Sequence, residues 1–211
     1  DDFADNNYTS NPAWTVESGT WSAATGALVP TPGSGNRAIY TANTYGNSDV
    51  YFSFKIAGTG GMADNWKIYL RWVDADNCLF VQWFWGGLSL IQRVGGVETL
   101  LASTAMIAAD MNSWYDVQVQ LDGSAVQVYL GSPEKGMKSI MQAVTGLGTT
   151  TNRLRVYHSG TQPFEFDNFR VLSRSINLTD TTTFTYNSNN QMTSLTNFTL
   201  TYNYTYDAWG R

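Results

Sequence analysis

Short runs of alternating apolar and polar residues, broken by Gly, Asn and Asp, constrain this chain more than any other feature. Val50 to Ile56 sets Val50, Phe52, Phe54 and Ile56 on one side and Tyr51, Ser53 and Lys55 on the other. Trp66 to Val73 sets Ile68, Leu70 and Trp72 against Lys67, Tyr69 and Arg71. Leu79 to Trp85, Leu88 to Val94, Tyr115 to Leu121, Ala125 to Leu130, Arg153 to Tyr157 and Phe164 to Leu172 follow. Side chains of a strand alternate between faces, so period-two runs of this length specify half-buried strands of a sandwich or barrel. The breaks carry turn chemistry. Asp74-Ala75-Asp76-Asn77, Gly86-Gly87, Gly95-Gly96 and Asp122-Gly123 all use residues that tolerate tight bends or positive φ. Consecutive strands joined this way form antiparallel hairpins, each giving one face to the core and one to the outside. Only Leu100 to Met111 suggests a helical turn or two, weakened by Ser103, Thr104 and the β-branched Ile107.

Composition narrows the function. Of 211 residues, 43% are apolar, enough for a sizeable core, but only 14% are charged. The polar surface is therefore built from Asn, Thr, Ser, Gln and Gly, which with 14% aromatics suits neutral ligands such as sugars. Net charge is −5, and no Lys/Arg cluster offers the basic stripe that phosphates need. Nucleic acid and anionic membranes are excluded as expected partners. Cys78 is the single cysteine, so no disulfide forms within the chain and no Cys-rich metal site exists. Its apolar strand assigns it to buried packing. No stretch approaches the ~18 apolar residues of a membrane span, and no signal peptide is present. The start at Asp1 suggests a mature or excised fragment.

Near Ser173 the composition shifts to Thr, Asn, Ser and Tyr. Phe184-Thr185-Tyr186-Asn187 and Tyr204-Thr205-Tyr206-Asp207 share an aromatic-Thr-Tyr-Asn/Asp order at a fixed offset, a repeat signature. Tyr206-Asp207-Ala208-Trp209-Gly210-Arg211 resembles the YD repeats of Rhs and teneurin-type surface proteins, with Tyr186 to Ser194 as a degenerate upstream copy. Such repeats need several stacked neighbours to bury a core. The resemblance therefore implies a β-rich tail over 174–211 that is either the start of an array, with further repeats of a parent protein as its partners, or a strand pair resting on the sandwich.

The body, 1–173, resembles the concanavalin A-like lectin/glucanase superfamily, of the laminin-G-like kind. The resemblance rests on Asp2-Phe3, Trp14 with Gly19-Thr20-Trp21, Arg71-Trp72-x-Asp74-x-Asp76-Asn77, Trp114-Tyr115 and the closing Phe166-Asp167-Asn168-Phe169-Arg170-Val171. It implies an all-β fold, a two-sheet antiparallel jelly-roll sandwich, and a face that often binds glycans. In similar domains the Asp of the opening Asp-Phe and that of the closing Asp-Asn often hold a structural Ca²⁺, which here points to Asp2 and Asp167. The alternative is an exposed acidic terminus and a turn-forming Asp-Asn. Asp74-Ala75-Asp76-Asn77 lacks the Gly and Glu of an EF-hand and reads as a turn.

Sugar recognition needs flat ring faces rimmed by planar donors and acceptors. If Ile68, Leu70, Trp72, Leu79, Val81 and Trp83 fill the core, the opposite face shows Tyr69, Arg71, Phe80, Gln82 and Phe84, followed by Ser89 and Arg93. Trp66 and Trp85 would line its rim, and His158, the single histidine, would be a contact at a strand end. A one-residue bulge reverses such an assignment. Glu165-Phe166-Asp167 has the Glu-x-Asp spacing of a laminarinase-like family on this fold, but the second Glu two residues after the Asp is missing. The expected function is a non-catalytic carbohydrate-binding module for a polysaccharide, part of a larger secreted or cell-surface protein. A structural or adhesive cap on a YD array is the alternative, and a glycan-cleaving enzyme the second alternative, for which no obvious carboxylate pair is found.

Overall fold

In the computed structural model, the described residues are 1–10, 12–31, 33, 35–56, 65–84, 86–104, 112–131, 138–147, 152–161, 163–173, 183–186, 192–197 and 200–203. They form strands β1 (Trp14–Ser18), β2 (Trp21–Ser22), β3 (Val29–Pro30), β4 (Asn36–Tyr45), β5 (Ser48–Ile56), β6 (Asn65–Trp72), β7 (Cys78–Phe84), β8 (Gly87–Val94) and β9 (Val97–Ser103). These are followed by β10 (Trp114–Asp122), β11 (Ala125–Gly131), β12 (Lys138–Val144), β13 (Asn152–Ser159) and β14 (Phe164–Ser173), and by β15 (Thr183–Tyr186), β16 (Met192–Asn197) and β17 (Leu200–Asn203). The chain divides into two compact units, Asp1–Arg174 and Ser175–Arg211.

The first unit is a sandwich. One sheet has seven strands in the order β1-β4-β13-β6-β7-β8-β9, and the other has five, β12-β11-β10-β5-β14. Every pairing is antiparallel. The hairpins follow the turn chemistry. Val94 pairs with Val97, leaving Gly95 and Gly96 as a two-residue loop with φ of 57° and 82°, a conformation that costs glycine nothing.

The core lies between the sheets. Phe52, Phe54 and Phe166 point inward from the five-stranded sheet, and Trp66, Ile68, Leu79, Val81 and Trp83 from the seven-stranded one. Their rings interlock: Phe54 lies 4.8 Å from Trp66 and 5.4 Å from Trp83 between centroids, and Trp66 meets Phe52 edge-on at 5.8 Å. Aromatic pairs of this geometry add about 0.5–1.5 kcal/mol each beyond the area they bury. The N-terminal segment closes one end. Asp1 exchanges backbone hydrogen bonds with Phe169, and Phe3 packs beneath Trp14 and Phe169.

Three expectations are corrected here. Leu100 and its neighbours are not helical; they belong to β9, an exposed edge strand, and 105–111 lie outside the described residues. Trp72 does not fill the core. A bulge in β6 makes Tyr69 face Phe80 but Arg71 face Leu79, so the alternation slips by one residue. Trp72 consequently turns outward, beside Tyr69, and Arg71 turns inward.

Arg71 is completely buried. Its guanidinium donates to the carbonyl of Gly123, in the β10–β11 turn, and to that of Leu147, after β12, at 2.5 and 2.8 Å. One side chain of the seven-stranded sheet thus holds two loops of the other. Burial lowers its pKa.

The second unit is a three-stranded antiparallel sheet, β15-β16-β17. Tyr206 to Arg211, the segment that resembles a YD repeat, lies outside the described residues.

Replacing Arg71 with Ala strands both carbonyls, so Arg71→Ala is expected to lower unfolding free energy in urea by about 3 kcal/mol. A change below about 0.5 kcal/mol would show that water serves those carbonyls equally well.

Candidate ligand-binding site

The outer face of the seven-stranded sheet is organised by register. Thr15, Tyr40, Arg155, Tyr69, Phe80, Ile91 and Leu100 are consecutive partners across all seven strands. Beside this row run Tyr157, Lys67, Gln82 and Ser89, and on its other side Trp72, Cys78, Arg93 and Glu98. Of the residues expected to bind ligand, Tyr69, Phe80, Gln82, Phe84 and Arg93 share this face. Trp66, Arg71 and His158 do not. Trp66 pairs with both Trp83 and His158 in the inward parity and is fully buried, as are Arg71 and His158. His158 packs edge-on against Phe164, with its Nδ1 3.2 Å from an Arg37 nitrogen. Trp85 lies outside the described residues.

The face is not a bare aromatic platform. Tyr69, Cys78 and Phe80 form a small buried cluster of their own, roofed by cations. The Arg155 guanidinium sits 4.8 Å from the Tyr69 ring, 4.6 Å from Trp72 and 5.8 Å from Tyr157. The Lys67 ammonium lies 4.5 Å from the Phe80 ring. Sequence reasoning missed Arg155, because nothing in the chain order shows that 155 and 69 are register partners. Glu17 binds Arg155 with both carboxylate oxygens, at 2.7 and 3.0 Å. Open to solvent on this face are Phe84 and, towards its two edges, Thr15, Glu98 and Leu100, with half-buried Trp72, Tyr157, Tyr40, Gln82 and Arg93.

Electrostatics follow from this packing. Burial pushes the Tyr69 hydroxyl up to about 12, so it stays a neutral phenol. Burial lowers Lys67, with Glu98 opposing. Burial also works against charge on Arg155, but the Glu17 bond outweighs it and its pKa is raised. The same bond, first among its causes, holds Glu17 below the ordinary carboxylate range.

On the opposite sheet, Glu165 is taken up by Lys55 at 2.6 Å. The Asp167 carboxylate accepts the Asn168 N–H at 2.7 Å. Its pKa is raised by burial, and the nearby Asp2 charge adds to the rise. Among the described residues, no three His, Cys, Asp or Glu side chains gather into a metal cluster. Asp74 caps its own turn, accepting from the N–H groups of Asp76 and Asn77 at 2.8 and 2.7 Å.

No protein-family model and no curated protein sequence matches the chain. Solved structures do. A carbohydrate-binding module, CBM66 from Bacillus subtilis, superposes with a TM-score of 0.63 at 15% identity, over 77% of this chain and 98% of its own. The exoplasmic/lumenal domain of VIP36, in a Ca²⁺- and Man-bound form, gives 0.65 at 15% identity, over 79% and 85%. A Bacillus licheniformis β-glucanase gives 0.61 at 11%, over 82% and 96%. These likenesses show the fold: a two-sheet antiparallel jelly roll.

The Glu17–Arg155 pair generates a pH prediction. A depressed folded pKa gives stability that is present above the unfolded value and lost as pH falls through the folded one. Glu17→Gln is expected to cost under about 1 kcal/mol at neutral pH, since Glu17 is partly exposed. In urea titrations the gap between the two proteins should close below roughly pH 4. A gap that stays constant into acid would remove the ion pair as its cause.

Proposed function

We propose that the sandwich is a non-catalytic carbohydrate-binding module, and that a neutral polysaccharide lies across the outer face of its seven-stranded sheet. The observation that carries this reading is the register row through Tyr40, Arg155, Tyr69 and Phe80, flanked by half-exposed Trp72 and Tyr157. Ring faces stack on the C–H faces of pyranoses, while half-buried Gln82 and Arg93 meet hydroxyls and buried Arg155 holds the rings in place. In this reading Tyr69 and Phe80 are the floor, and Trp72, Tyr157 and Phe84 are the contacts. Arg155 is held by Glu17 and three rings, so little side-chain entropy is lost on binding. The module acts outside the cell, joined through 174–211 to a larger protein that continues the YD array.

The same reading assigns a structural Ca²⁺ to Asp2 and Asp167. Calcium takes about six to eight oxygens, so carbonyls and water would complete the shell. The pair fits a cation because the half-buried Asp167 carboxylate has the Asp2 charge near it. Its role is to fix the N-terminal segment to β14.

Isothermal titration against laminarin, xylan, mannan and soluble cellulose derivatives tests the binding face. At least one polymer should bind, and Trp72→Ala should weaken it at least tenfold, roughly 1.4 kcal/mol or more, with the unfolding midpoint retained. Silence across the panel would sink the module reading.

Thermal unfolding tests the ion. Millimolar Ca²⁺ should raise the midpoint of the native chain and leave Asp167→Asn unmoved. An equal rise in both proteins would take calcium away from Asp167.

A further inference from the structure

The outer face of the five-stranded sheet holds a concavity that the polysaccharide reading above does not use; of the two residues assigned to calcium, Asp2 is in its lining and Asp167 is not. A cavity of ≈ 670 Å³ opens there, lined by Asp2, Tyr51, Ser53, Asp116, Asn168 and Arg170 among others. Three adjacent strands set these groups in register. Asp116, Ser53 and Asp167 are one row across β10, β5 and β14; Gln118, Tyr51 and Arg170 are the next.

The cavity is pre-arranged. Ser53 is buried at its floor, donating its hydroxyl to Asp116 Oδ1 at 2.6 Å and accepting from Asn168 Nδ2 at 3.2 Å. Asn168 sits in a bulge of β14 with φ of 55°, where its short amide side chain returns over the sheet to Ser53. The Tyr51 hydroxyl accepts from Gln118 Nε2 at 2.9 Å, and the Arg170 guanidinium covers the Tyr51 ring at 4.5 Å.

We propose that this cavity is a second ligand site, for a neutral polyhydroxylated group the size of one or two sugar residues. Its volume falls within the roughly 300–1,000 Å³ of small-molecule pockets. Its lining mixes groups that only accept (Asp2, Asp116) with one that only donates (Arg170) and three that do both (Tyr51, Ser53, Asn168). A hydroxyl also does both, so a ligand bearing several satisfies this mixture. A cation held by Asp2 would accept nothing from Arg170 and would not fill the rest of the cavity, and an anion meets the carboxylates of Asp2 and Asp116. The floor of the pocket is polar and its side wall aromatic, as recognition of a sugar ring requires.

Saturation-transfer NMR and isothermal titration on the intact chain test this, with the methyl glycosides of glucose, galactose, mannose and xylose as probes, and glucosamine and glucuronate as charged controls. At least one neutral glycoside should bind, and Asp116→Ala should weaken it about tenfold or more while leaving polysaccharide binding at the other face unchanged. Arg170→Gln, at an exposed position, serves as the second variant if Asp116→Ala loses stability. Binding that Trp72→Ala abolishes and both cavity variants leave intact would return the glycosides to the seven-stranded face and overturn the proposal. Binding of glucosamine alone, or of no probe, would overturn it as well.

Discussion

The layer of rings between the sheets governs the rest of the molecule. Phe52 and Phe54 face Trp66 and Trp83. Because a strand alternates, placing those side chains inward leaves no choice about the others. Tyr51, Ser53 and Lys55 must leave β5 on the outside, and Lys67 and Tyr69 must leave β6 the same way. Both outer surfaces are therefore by-products of the core. Whatever the faces bind, their spacing comes from strand register, about 4.8 Å per strand, and not from loops.

The alternation that makes this core is legible along the chain, and so are the hairpins that connect it. Legibility fails at particular places for physical reasons. Nothing around Leu70 announces a bulge, since bulges follow from twist and neighbours as well as from local residues. That one slip exchanges Arg71 and Trp72, moving a guanidinium into the interior and an indole to the surface. The strands β1, β9 and β12 lack a strong apolar pattern because edge strands bury little, as the exposure of Val97, Leu100 and Val144 shows. The cavity on the five-stranded sheet draws on Tyr51, Asp116 and Asn168, which only pairing brings together.

A second regularity joins the two outer faces. A ring on an outer surface is covered by a cation from a neighbouring strand: Arg155 over Tyr69, Lys67 over Phe80, Arg153 over Tyr40, Arg170 over Tyr51 and Lys55 over Trp114. Charged side chains are scarce in this chain, at 14%. Placing them over rings lets sheets rich in outward aromatics carry charge among those rings, which breaks up what would otherwise be apolar surface.

Arg71 has a consequence for how the molecule comes apart. A sandwich held only by side-chain packing can lose one sheet before the other. Here a guanidinium from β6 holds carbonyls at 123 and 147, and from β8 Gln92 Oε1 accepts from Thr145 Oγ1 and the Gly146 N–H, both at 2.9 Å. Peeling either sheet away must break directional bonds and strand a charge in the same step. The two sheets should then open as one cooperative unit, with amide protons on β6 and β10 exchanging at a common rate under native conditions.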